Sequence, residues 1–321
     1  MKTIDVHPEF AHELVCVIPY AYWLHEQGKL EKVITCKGMK PFYYFCDNVE
    51  EKYNQRHLDN KISGLSKMPN DWIHHNSLSI KGKTLEELNE DEHKDVHGVL
   101  DYSQWTPPPY FKKYSSSKID LGKPFIVVNN TYNIEFGRDI EHSIRYFDIP
   151  SLVEIFNYLV EKGYKVIYKR PLNTEYAPDS NEIHTLNEGH HMLKAKLQDG
   201  GWMSDYELCE KYKGEVINLN GIDLVNSNGE SISYNELQLR LFSSADGFIT
   251  TNGGGGVLCS YFDKPVVMHV PHGKELDREQ YLTKENSYIN KLSNAKINVV
   301  LDKGNKSNYN KVLTKIKEVF K

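Results

Sequence analysis

A run of four consecutive glycines constrains the fold of this chain more than any other feature of its sequence. The run follows Asn252 and ends at Gly256. The segment 247–250 before it predicts a buried strand, and the apolar spacing of 257–262 after it predicts a helix. At such a turn the first N–H groups of the helix are free to bind an anion, and glycines let a phosphate approach the backbone. The pattern therefore predicts a phosphate-binding turn in an α/β domain, formed by Thr251, Asn252, Gly253, Gly254, Gly255 and Gly256.

Two better-known glycine motifs are not supported by this spacing. The run is neither GxGxxG, which binds dinucleotides, nor GxxxxGK[ST], which binds nucleoside triphosphates, and the lysine of the second motif does not follow the turn. A tight packing turn without a ligand remains the alternative. Four adjacent glycines are entropically costly for packing alone, which favours the anion site.

Strands and helices alternate throughout the second half of the chain. Gly163 marks the end of one predicted helix, and Ser233 is a candidate N-cap for another. The predicted strands are 124–128, 164–168, 216–219, 247–250, 266–270 and 297–301, and the predicted helices are 149–162, 234–244, 257–262 and 308–320. Alternation of this kind is typical of a parallel sheet covered by helices.

The first half of the chain shows the same alternation less clearly. The apolar segment 14–18 predicts a first strand and 20–32 predicts a helix, while 33–36 and 42–46 predict two further strands. Between residues 50 and 101 the pattern weakens. Only 72–73 and 78–80 indicate short strands there.

A proline run and a serine run mark the break between the two halves. Consecutive prolines at 107–109, followed by serines at 115–117, favour an extended connector. The length of 321 residues exceeds the usual size of one domain, which is about 100 to 200 residues. We therefore predict an α/β protein with two Rossmann-like domains, 1–118 and 119–321, facing a cleft. The last helix is a candidate to pack back on the N-terminal domain.

The composition narrows the class of partner. The formal net charge of −5 offers no overall positive charge for nucleic acid. No secretion signal is evident, and no apolar run reaches the roughly 18 residues that cross a bilayer, so we expect a cytoplasmic protein without a transmembrane segment. The five cysteines are odd in number and lack CxxC spacing, which favours reduced, mostly buried thiols.

Three groups of histidines invite a metal interpretation. They are His74 with His75, His93 with His97, and His190 with His191. No glutamate stands in HExxH register with the pair spaced by four residues, and the surrounding sequence is highly polar. Solvated histidines are therefore the favoured interpretation, and no metal site is predicted.

Polar residues follow two predicted strands, at the edge where open parallel sheets bind ligands. Lys169 and Arg170 supply two cations after one strand, and an arginine can hold a diphosphate in a bidentate fork. A solvated basic pair is the alternative. Asn129 and Asn130 follow another strand and either hydrogen-bond ligand oxygens or form a turn.

The loop after strand 266–270 lies beside the glycine turn in a sheet of this kind. His269 lies near the end of this strand, and His272 and Glu275 lie in the loop itself. A histidine there is a candidate to contact a phosphate or a base, and Glu275 is a candidate to hold a pair of ribose hydroxyls. A surface loop without a function is the alternative.

The segment 234–267 resembles the donor-binding half of GT-B glycosyltransferases. It combines a helix, the sequence GFITTNGGGG at 247–256 and the sequence DKPVV at 263–267. The stretch 125–135 and the sequence VIYKRP at 166–171 are similar to sugar transferases with a fucosyltransferase-like C-terminal domain. The resemblance covers about residues 120 to 280, and the N-terminal half shows no family motif.

The resemblance implies a glycosyltransferase that moves a sugar from a nucleoside-diphosphate sugar to a hydroxyl of a carbohydrate or glycoconjugate acceptor. Arg170 and the glycine-turn amides would stabilise the diphosphate leaving group, so that no metal and no cofactor is needed. The lack of a DxD motif agrees with this. An inverting reaction also needs a base from the N-terminal domain, and Glu13 and Asp47, beside predicted strands, are the candidates.

Two other functions remain open at this point. A GT-B-like nucleotide-sugar epimerase shares the donor fold but needs acid and base residues on both sides of the sugar ring. A noncatalytic nucleotide-binding module needs only the phosphate site. Release of free nucleoside diphosphate only after an acceptor is added distinguishes the transferase from both.

Overall fold

The computed structural model describes residues 1–5, 7, 8, 10–56, 102–131, 146–170, 193–222, 232–270, 288–301 and 309–321. Its first part contains a three-stranded parallel sheet in the order β1-β2-β3. The strands are β1 (Lys2–Asp5), β2 (Leu30–Cys36) and β3 (Val49–Tyr53). Between β1 and β2 the chain is helical through α1 (Phe10–His12), a π-helical turn (Glu13–Val17) and α2 (Ile18–Glu26).

The second part is built on a six-stranded parallel sheet. Its strands are β4 (Phe125–Asn129), β5 (Lys165–Lys169), β8 (Val216–Asn218), β9 (Gly247–Thr251), β10 (Val266–Val270) and β11 (Ile297–Leu301). The strand order is β11-β10-β9-β4-β5-β8. The chain therefore builds outward from β4 to β8, returns to the other side of β4 and builds outward again. This is a doubly wound sheet whose topological switch point lies between β4 and β9.

Helices and a hairpin surround this sheet. The helices are α3 (Tyr110–Tyr114), α4 (Ile149–Glu161), α5 (Asp205–Glu210), α6 (Tyr234–Ser244), α7 (Gly254–Cys259) and α8 (Tyr309–Val319). The strands β6 (Lys194–Lys196) and β7 (Trp202–Ser204) pair antiparallel. In the part of the chain that the structure describes, no helix is long and apolar enough to cross a membrane.

Side-chain caps fix where several helices begin. The Asp148 side chain accepts a hydrogen bond from the Ser151 N–H at the start of α4. Ser233 caps α6 in the same way, as the sequence predicts. Gly163, with a φ of +86°, follows α4 in the left-handed conformation that ends a helix. These local signals explain why α4 and α6 were predicted with nearly the observed bounds.

The α/β class with parallel sheets is confirmed, and so are the six main strands of the second half. The predicted strand at 14–18 is wrong, because these residues form the π-helical turn and the start of α2. All five side chains are buried, and a segment buried on every side has no periodicity that separates strand from helix. Pro19 is tolerated because it lies in the first turn of α2.

The predicted strand at 42–46 is also wrong. A 3₁₀ turn spans Lys40–Tyr43, with Pro41 in its first turn, and the chain then turns towards β3. The real neighbouring strands β1 and β3 were missed because most of their side chains are exposed and several are charged. The predicted strands at 72–73 and 78–80 lie outside the described residues.

The connector between the sheets is partly helical rather than extended. After the proline run, α3 packs against α6 of the second half. Apolar side chains from both halves join one continuous cluster, which includes Leu14 and Tyr43 on one side and Phe242 and Tyr261 on the other. Packing therefore sets no boundary of its own, and the division at residue 118 stays a prediction.

The last helix belongs to the second half of the molecule. α8 contacts α4, β10 and β11, and Val312 and Ile316 are buried in the cluster on that side of the six-stranded sheet. Its apolar face therefore packs within the second half, and the expectation that it packs back on the N-terminal domain stays a prediction.

None of the five cysteines forms a disulfide, as predicted. Four are buried, and Cys46 is half-buried. Burial raises the pKa of the Cys259 thiol to about 12, although the charge of Lys169 counteracts part of this shift. A buried thiol of this kind is chemically inert.

Candidate functional site at the topological switch point

The carboxyl ends of β4 and β9 lie at the switch point of the six-stranded sheet. The chain leaves β4 through Asn129 and Asn130, and it leaves β9 through Thr251 and Asn252. Because consecutive crossovers go to opposite faces of the sheet at this point, a crevice forms between the two strand ends. The sequence predicted all four of these residues as candidates for ligand binding.

The glycine turn opens α7 directly after β9. Gly253 has a φ of +107°, a conformation that side chains rarely adopt. A Cβ on Gly254 would lie 2.9 Å from a ring carbon of Phe10, and one on Gly255 would lie 2.5 Å from Nδ2 of Asn129. A Cβ on Gly256 would lie 2.6 Å from the carbonyl oxygen of Thr251. Close packing thus accounts for three of the glycines, which agrees with the alternative of a packing turn without a ligand. Phosphate binding by the turn stays a prediction.

The Asn252 side chain is fully buried at the glycine turn. The backbone N–H of Asn252 donates to the carbonyl of His269 at 3.0 Å. Its side-chain Oδ1 and Nδ2 are both buried and have no hydrogen-bond partner among the described residues, and the same holds for Oγ1 of Thr251. An unsatisfied buried amide costs about 1–3 kcal/mol, so this arrangement marks a place where a ligand can supply the missing partners.

One face of the sheet edge carries a buried cation beside the glycine turn. Nζ of Lys169 donates to Oδ1 of Asn129 at 2.8 Å, and Nδ2 of Asn129 donates to Oγ1 of Thr250 at 2.8 Å. Asn129 also packs against Gly255. Lys169 is only 4% exposed, so its charge acts in a medium of low dielectric. The Asn129 side chain therefore connects the Lys169 ammonium to the glycine turn.

The opposite face holds Arg170 in a bidentate ion pair with Asp205. Nη2 donates to Oδ1 at 2.9 Å and Nε donates to Oδ2 at 2.5 Å, while the Tyr168 hydroxyl donates to Oδ2 at 2.6 Å. Both charged groups are buried. Burial alone lowers the pKa of Arg170, but hydrogen bonding and charge from Asp205 raise it above its usual value overall. The guanidinium is held in place by this pair, and its binding of diphosphate stays a prediction.

Asp205 was missed by the sequence analysis. It is the first residue of α5, directly after Ser204, which forms a capping box with Glu207. The capping box is visible in the sequence as S-x-x-E and predicts the helix start. Nothing in the sequence indicates that the following aspartate pairs with an arginine 35 residues earlier.

Asn130 and His269 have structural partners at this edge. Oδ1 of Asn130 accepts the N–H of Phe147 at 2.8 Å, and its Nδ2 donates to the Phe147 carbonyl at 3.0 Å. The His269 ring stacks on Phe147 with 5.9 Å between centroids and contacts Tyr309 at 5.5 Å. Both residues lie where the sequence placed them, and their contact with a ligand stays a prediction. His272 and Glu275 lie outside the described residues.

The N-terminal half faces the glycine turn with α1 and the π-helical turn. Glu13 is the first residue of that turn and is completely buried. One carboxylate oxygen accepts the Tyr43 hydroxyl at 2.8 Å and the Thr35 hydroxyl at 2.5 Å, and the other accepts Nη1 of Arg56. Burial raises the pKa of Tyr43 well above its usual value, and the charge of Glu13 adds to this shift. Glu13 is thus an anion held by a buried cation.

The Glu13–Arg56 pair is connected to the glycine turn through one aromatic ring. The Arg56 guanidinium lies 5.2 Å from the centroid of the Phe10 ring. The same ring packs against Gly254. The sequence analysis did not single out Arg56, since a lone arginine after a strand carries no distinguishing signal.

Asp47 does not lie with Glu13. The prediction placed it after a strand, but it precedes β3 and is exposed. The residue after Asp47, Asn48, accepts a hydrogen bond at its carbonyl from the N–H of Val33, where β2 begins to pair with β3. Asp47 therefore lies towards the amino ends of the parallel strands, whereas Glu13 contacts Thr35 near the carboxyl end of β2.

The structure describes none of the histidines that invite a metal interpretation. His74, His75, His93, His97, His190 and His191 all lie outside the described residues. Within the described ranges, no group of three His, Cys, Asp or Glu side chains is arranged to hold a metal ion. The predictions that neither a metal nor a cofactor is needed stay predictions.

Comparison with known proteins identifies the fold. No protein-family model and no curated protein matches the sequence. The chain is similar to the structure of the E. coli ADP-heptose LPS heptosyltransferase II, with a TM-score of 0.52, 11% sequence identity and coverage of 100% of this chain and 98% of that one. This similarity confirms the predicted GT-B fold, an α/β architecture with two Rossmann-like domains.

A second structure is similar at a lower score. The glycosyl transferase family 9 protein from Veillonella parvula has a TM-score of 0.42 and 10% identity, with coverage of 98% of this chain and 89% of that chain. Neither identity reaches the level at which an activity carries over between proteins. The comparisons therefore give the fold, and the function has to be argued from the site.

Proposed function

We propose that this protein is a glycosyltransferase that transfers a sugar from a nucleoside-diphosphate sugar to a hydroxyl of a carbohydrate or glycoconjugate acceptor. The observation that carries the proposal is the Asn252 side chain at the switch point, whose two polar atoms are buried and have no hydrogen-bond partner among the described residues. In doubly wound sheets the switch point is where nucleotides bind. The GT-B fold supports the same class of donor, because the E. coli protein of that fold is named for ADP-heptose.

Asn252 suits a sugar-nucleotide because an amide both donates and accepts hydrogen bonds. Nδ2 would donate to a phosphate or hydroxyl oxygen, and Oδ1 would accept from a ribose or sugar hydroxyl. The Thr251 hydroxyl adds a third group in the adjacent position. The ligand would repay the desolvation of these groups, which the unliganded protein leaves uncompensated.

In our proposal, the cations at this edge stabilise the negative charge of the leaving diphosphate. Lys169 is buried beside Asn129 and the glycine turn, and the N–H groups of the turn add partial positive charge. Arg170, which the ion pair with Asp205 holds in place, supplies a further positive group at this edge. Preorganised donors of this kind stabilise the charge that develops on the diphosphate without requiring a metal.

Glu13 is the base that we favour for an inverting reaction. Its carboxylate uses three of about four acceptor positions. Because the side chain is fully buried, an acceptor hydroxyl would reach the fourth position only after neighbouring side chains move. The oxygen of the acceptor hydroxyl bonds to the anomeric carbon while its proton moves to Glu13. The bond from that carbon to the diphosphate oxygen breaks, and the nucleoside diphosphate leaves. Asp47 is not retained in this role, because it is exposed and lies towards the other end of the sheet.

A two-stage experiment tests the proposal. The first stage is a thermal-shift screen of nucleoside diphosphates and their sugars, beginning with ADP-linked sugars. At least one of these ligands should raise the melting temperature of the protein. The stabilising donor is then incubated with candidate acceptors while free nucleoside diphosphate is measured. Release that depends on the acceptor supports the transferase. Epimerisation without an acceptor, or binding without turnover, would replace it with one of the two other functions.

A further inference from the structure

A polar cavity of about 490 Å³ lies between the two halves of the molecule, apart from the switch point. Four segments line it: the stretch after β2, Glu51 of β3, the end of α3 with the serines that follow it, and the start of α6. None of its lining residues belongs to the glycine turn or to the strand ends that form the switch-point site. We refer to this space as the connector cavity.

Hydrogen bonds between the segments hold the connector cavity open. Nδ2 of Asn235 in α6 donates to the carbonyl of Gly38 at 2.6 Å. The Tyr114 hydroxyl, at the end of α3, donates to the carbonyl of Pro41 at 2.7 Å. Both donors are buried, so these bonds are shielded from competing water. The cavity is therefore largely formed before any ligand arrives, as small-molecule sites usually are.

The carboxylates of the cavity are already engaged. Oε1 of Glu236 accepts Nη2 of Arg240 at 2.5 Å, one turn along α6. Oε1 of Glu51 accepts the backbone N–H of Lys40 at 2.8 Å. Negative charge in the cavity is thus matched by donors that the protein itself supplies.

Arg240 is paired with Glu236, but the two lysines of the cavity are not matched in this way. Within the described part of the chain, neither Lys40 nor Lys113 has a carboxylate within ion-pair distance, and Nε of Arg240 is buried without a hydrogen-bond partner. Nζ of Lys113 lies 5.2 Å from the Tyr44 ring, which orients the ammonium without neutralising it. Three cations facing two engaged carboxylates leave the cavity with an excess of positive charge.

Serine hydroxyls complete the lining. Ser116, Ser117 and Ser233 all border the cavity. Hydroxyl groups that both donate and accept suit a ligand that carries hydroxyls of its own. A bare phosphate or sulfate would leave most of about 490 Å³ empty.

We propose that the connector cavity binds an anionic saccharide, a sugar that carries a phosphate or a carboxylate. Lys40 and Lys113 hold the anionic group beside the Arg240–Glu236 pair, and the serines contact the sugar hydroxyls. The ligand would touch both halves of the molecule and the connector at once, so its binding stabilises their present arrangement. The inference does not depend on the glycosyltransferase proposal, because the two sites share no residue.

Isothermal titration calorimetry with glucose 6-phosphate, glucose and inorganic phosphate tests the site on the full-length protein. We expect glucose 6-phosphate to bind, and to bind more tightly than either of the other two. Lys113→Ala should weaken that binding about tenfold, and Lys40→Ala combined with Lys113→Ala should weaken it further. Lys112→Ala is the matched control, since Lys112 is an exposed neighbour that does not line the cavity.

The same titration separates this site from the switch point. Asn252→Ala should leave the affinity for glucose 6-phosphate unchanged, whatever it does to nucleotide binding. The proposal is overturned if the wild type does not bind the sugar phosphate, or if the double lysine variant binds it as tightly as the wild type. It is equally overturned if inorganic phosphate binds as tightly as the sugar phosphate, or if Asn252→Ala abolishes binding.

Discussion

The Arg170 guanidinium and the Asp205 carboxylate form a buried bidentate ion pair at the carboxyl end of β5. Arg170 is therefore a structural residue as well as a candidate phosphate ligand. Tyr168 donates to the same carboxylate, so the pair anchors β5 to the start of α5.

Removing Asp205 should destabilise the fold strongly. Asp205→Ala leaves the Arg170 charge buried without its partner, which typically costs about 3–5 kcal/mol of unfolding free energy. Urea unfolding followed by circular dichroism measures the change. Glu318→Ala, which breaks an exposed pair with Lys315, is the control and should cost less than about 1 kcal/mol. Similar losses in the two variants would show that the Arg170–Asp205 pair is not the anchor described here.

The glycine turn should tolerate no side chain at Gly255. A Cβ there would lie 2.5 Å from Nδ2 of Asn129. The Asn129 side chain is held by hydrogen bonds from Lys169 to its Oδ1 and from its Nδ2 to Thr250. Gly255→Ala should therefore lower the unfolding free energy by about 1–3 kcal/mol through overpacking. Gly221→Ala provides the comparison, because a Cβ at Gly221 has no atom within 4 Å. A stable Gly255→Ala protein would mean that Asn129 moves aside at little cost.

Stability should fall in alkaline solution partly because of Cys259. Burial raises the pKa of this thiol from 9.0 to about 12 in the folded protein. The unfolded chain then loses the thiol proton at lower pH than the folded one. The contribution is complete below about pH 9 and is lost as pH rises towards about 12.

A cysteine variant isolates this contribution from that of the buried tyrosines. Denaturant unfolding of the wild type and of Cys259→Ala is compared between about pH 8 and about pH 11. We expect a shallower loss of stability with pH in the variant. Parallel pH dependences would contradict a raised pKa for Cys259.

Glu13→Gln should lower kcat strongly with donor binding retained, and it should also lower stability because buried Arg56 loses its charge partner. The amide cannot accept the proton of the acceptor hydroxyl, and loss of a general base typically costs about 10²–10⁴-fold in rate. Steady-state kinetics gives kcat, and calorimetry with the nucleoside diphosphate shows that the donor site survives the substitution. Asp47→Asn is the control and should retain full activity, because Asp47 is exposed towards the other end of the sheet. An active Glu13→Gln enzyme would remove Glu13 from the mechanism.

Local signals explain how much of the fold was predictable. The caps and the alternation of apolar segments predicted α6 and β10 with their observed bounds. The prediction of a strand at Leu14–Ile18 was wrong because a fully buried helix and a fully buried strand have the same apolar composition. The charged edge strand β3 was missed for the opposite reason, since its side chains are mostly exposed.

The site was predictable in position but not in its pairings. Parallel strands bring their carboxyl ends to one edge, so Asn129, Lys169, Arg170 and Asn252 could be grouped from the sequence alone. The partners Asp205 and Arg56 lie 35 and 43 residues from Arg170 and Glu13, and no local pattern connects them. Which side chains are engaged with each other and which are left for a ligand therefore required the structure.

The central claim is that the buried Asn252 amide is left for a nucleotide. Replacing it by alanine removes two unsatisfied buried atoms, so Asn252→Ala should be at least as stable as the wild type without ligand. Asn294→Ala is the matched control, since Asn294 is exposed near the amino end of β11.

Calorimetric titration of both variants with the stabilising nucleoside diphosphate is the most direct measurement. We predict that Asn252→Ala weakens the affinity by about tenfold to a hundredfold, because one or two hydrogen bonds to the ligand are lost, and that Asn294→Ala leaves it unchanged. Equal affinity in the wild type and Asn252→Ala would contradict the account.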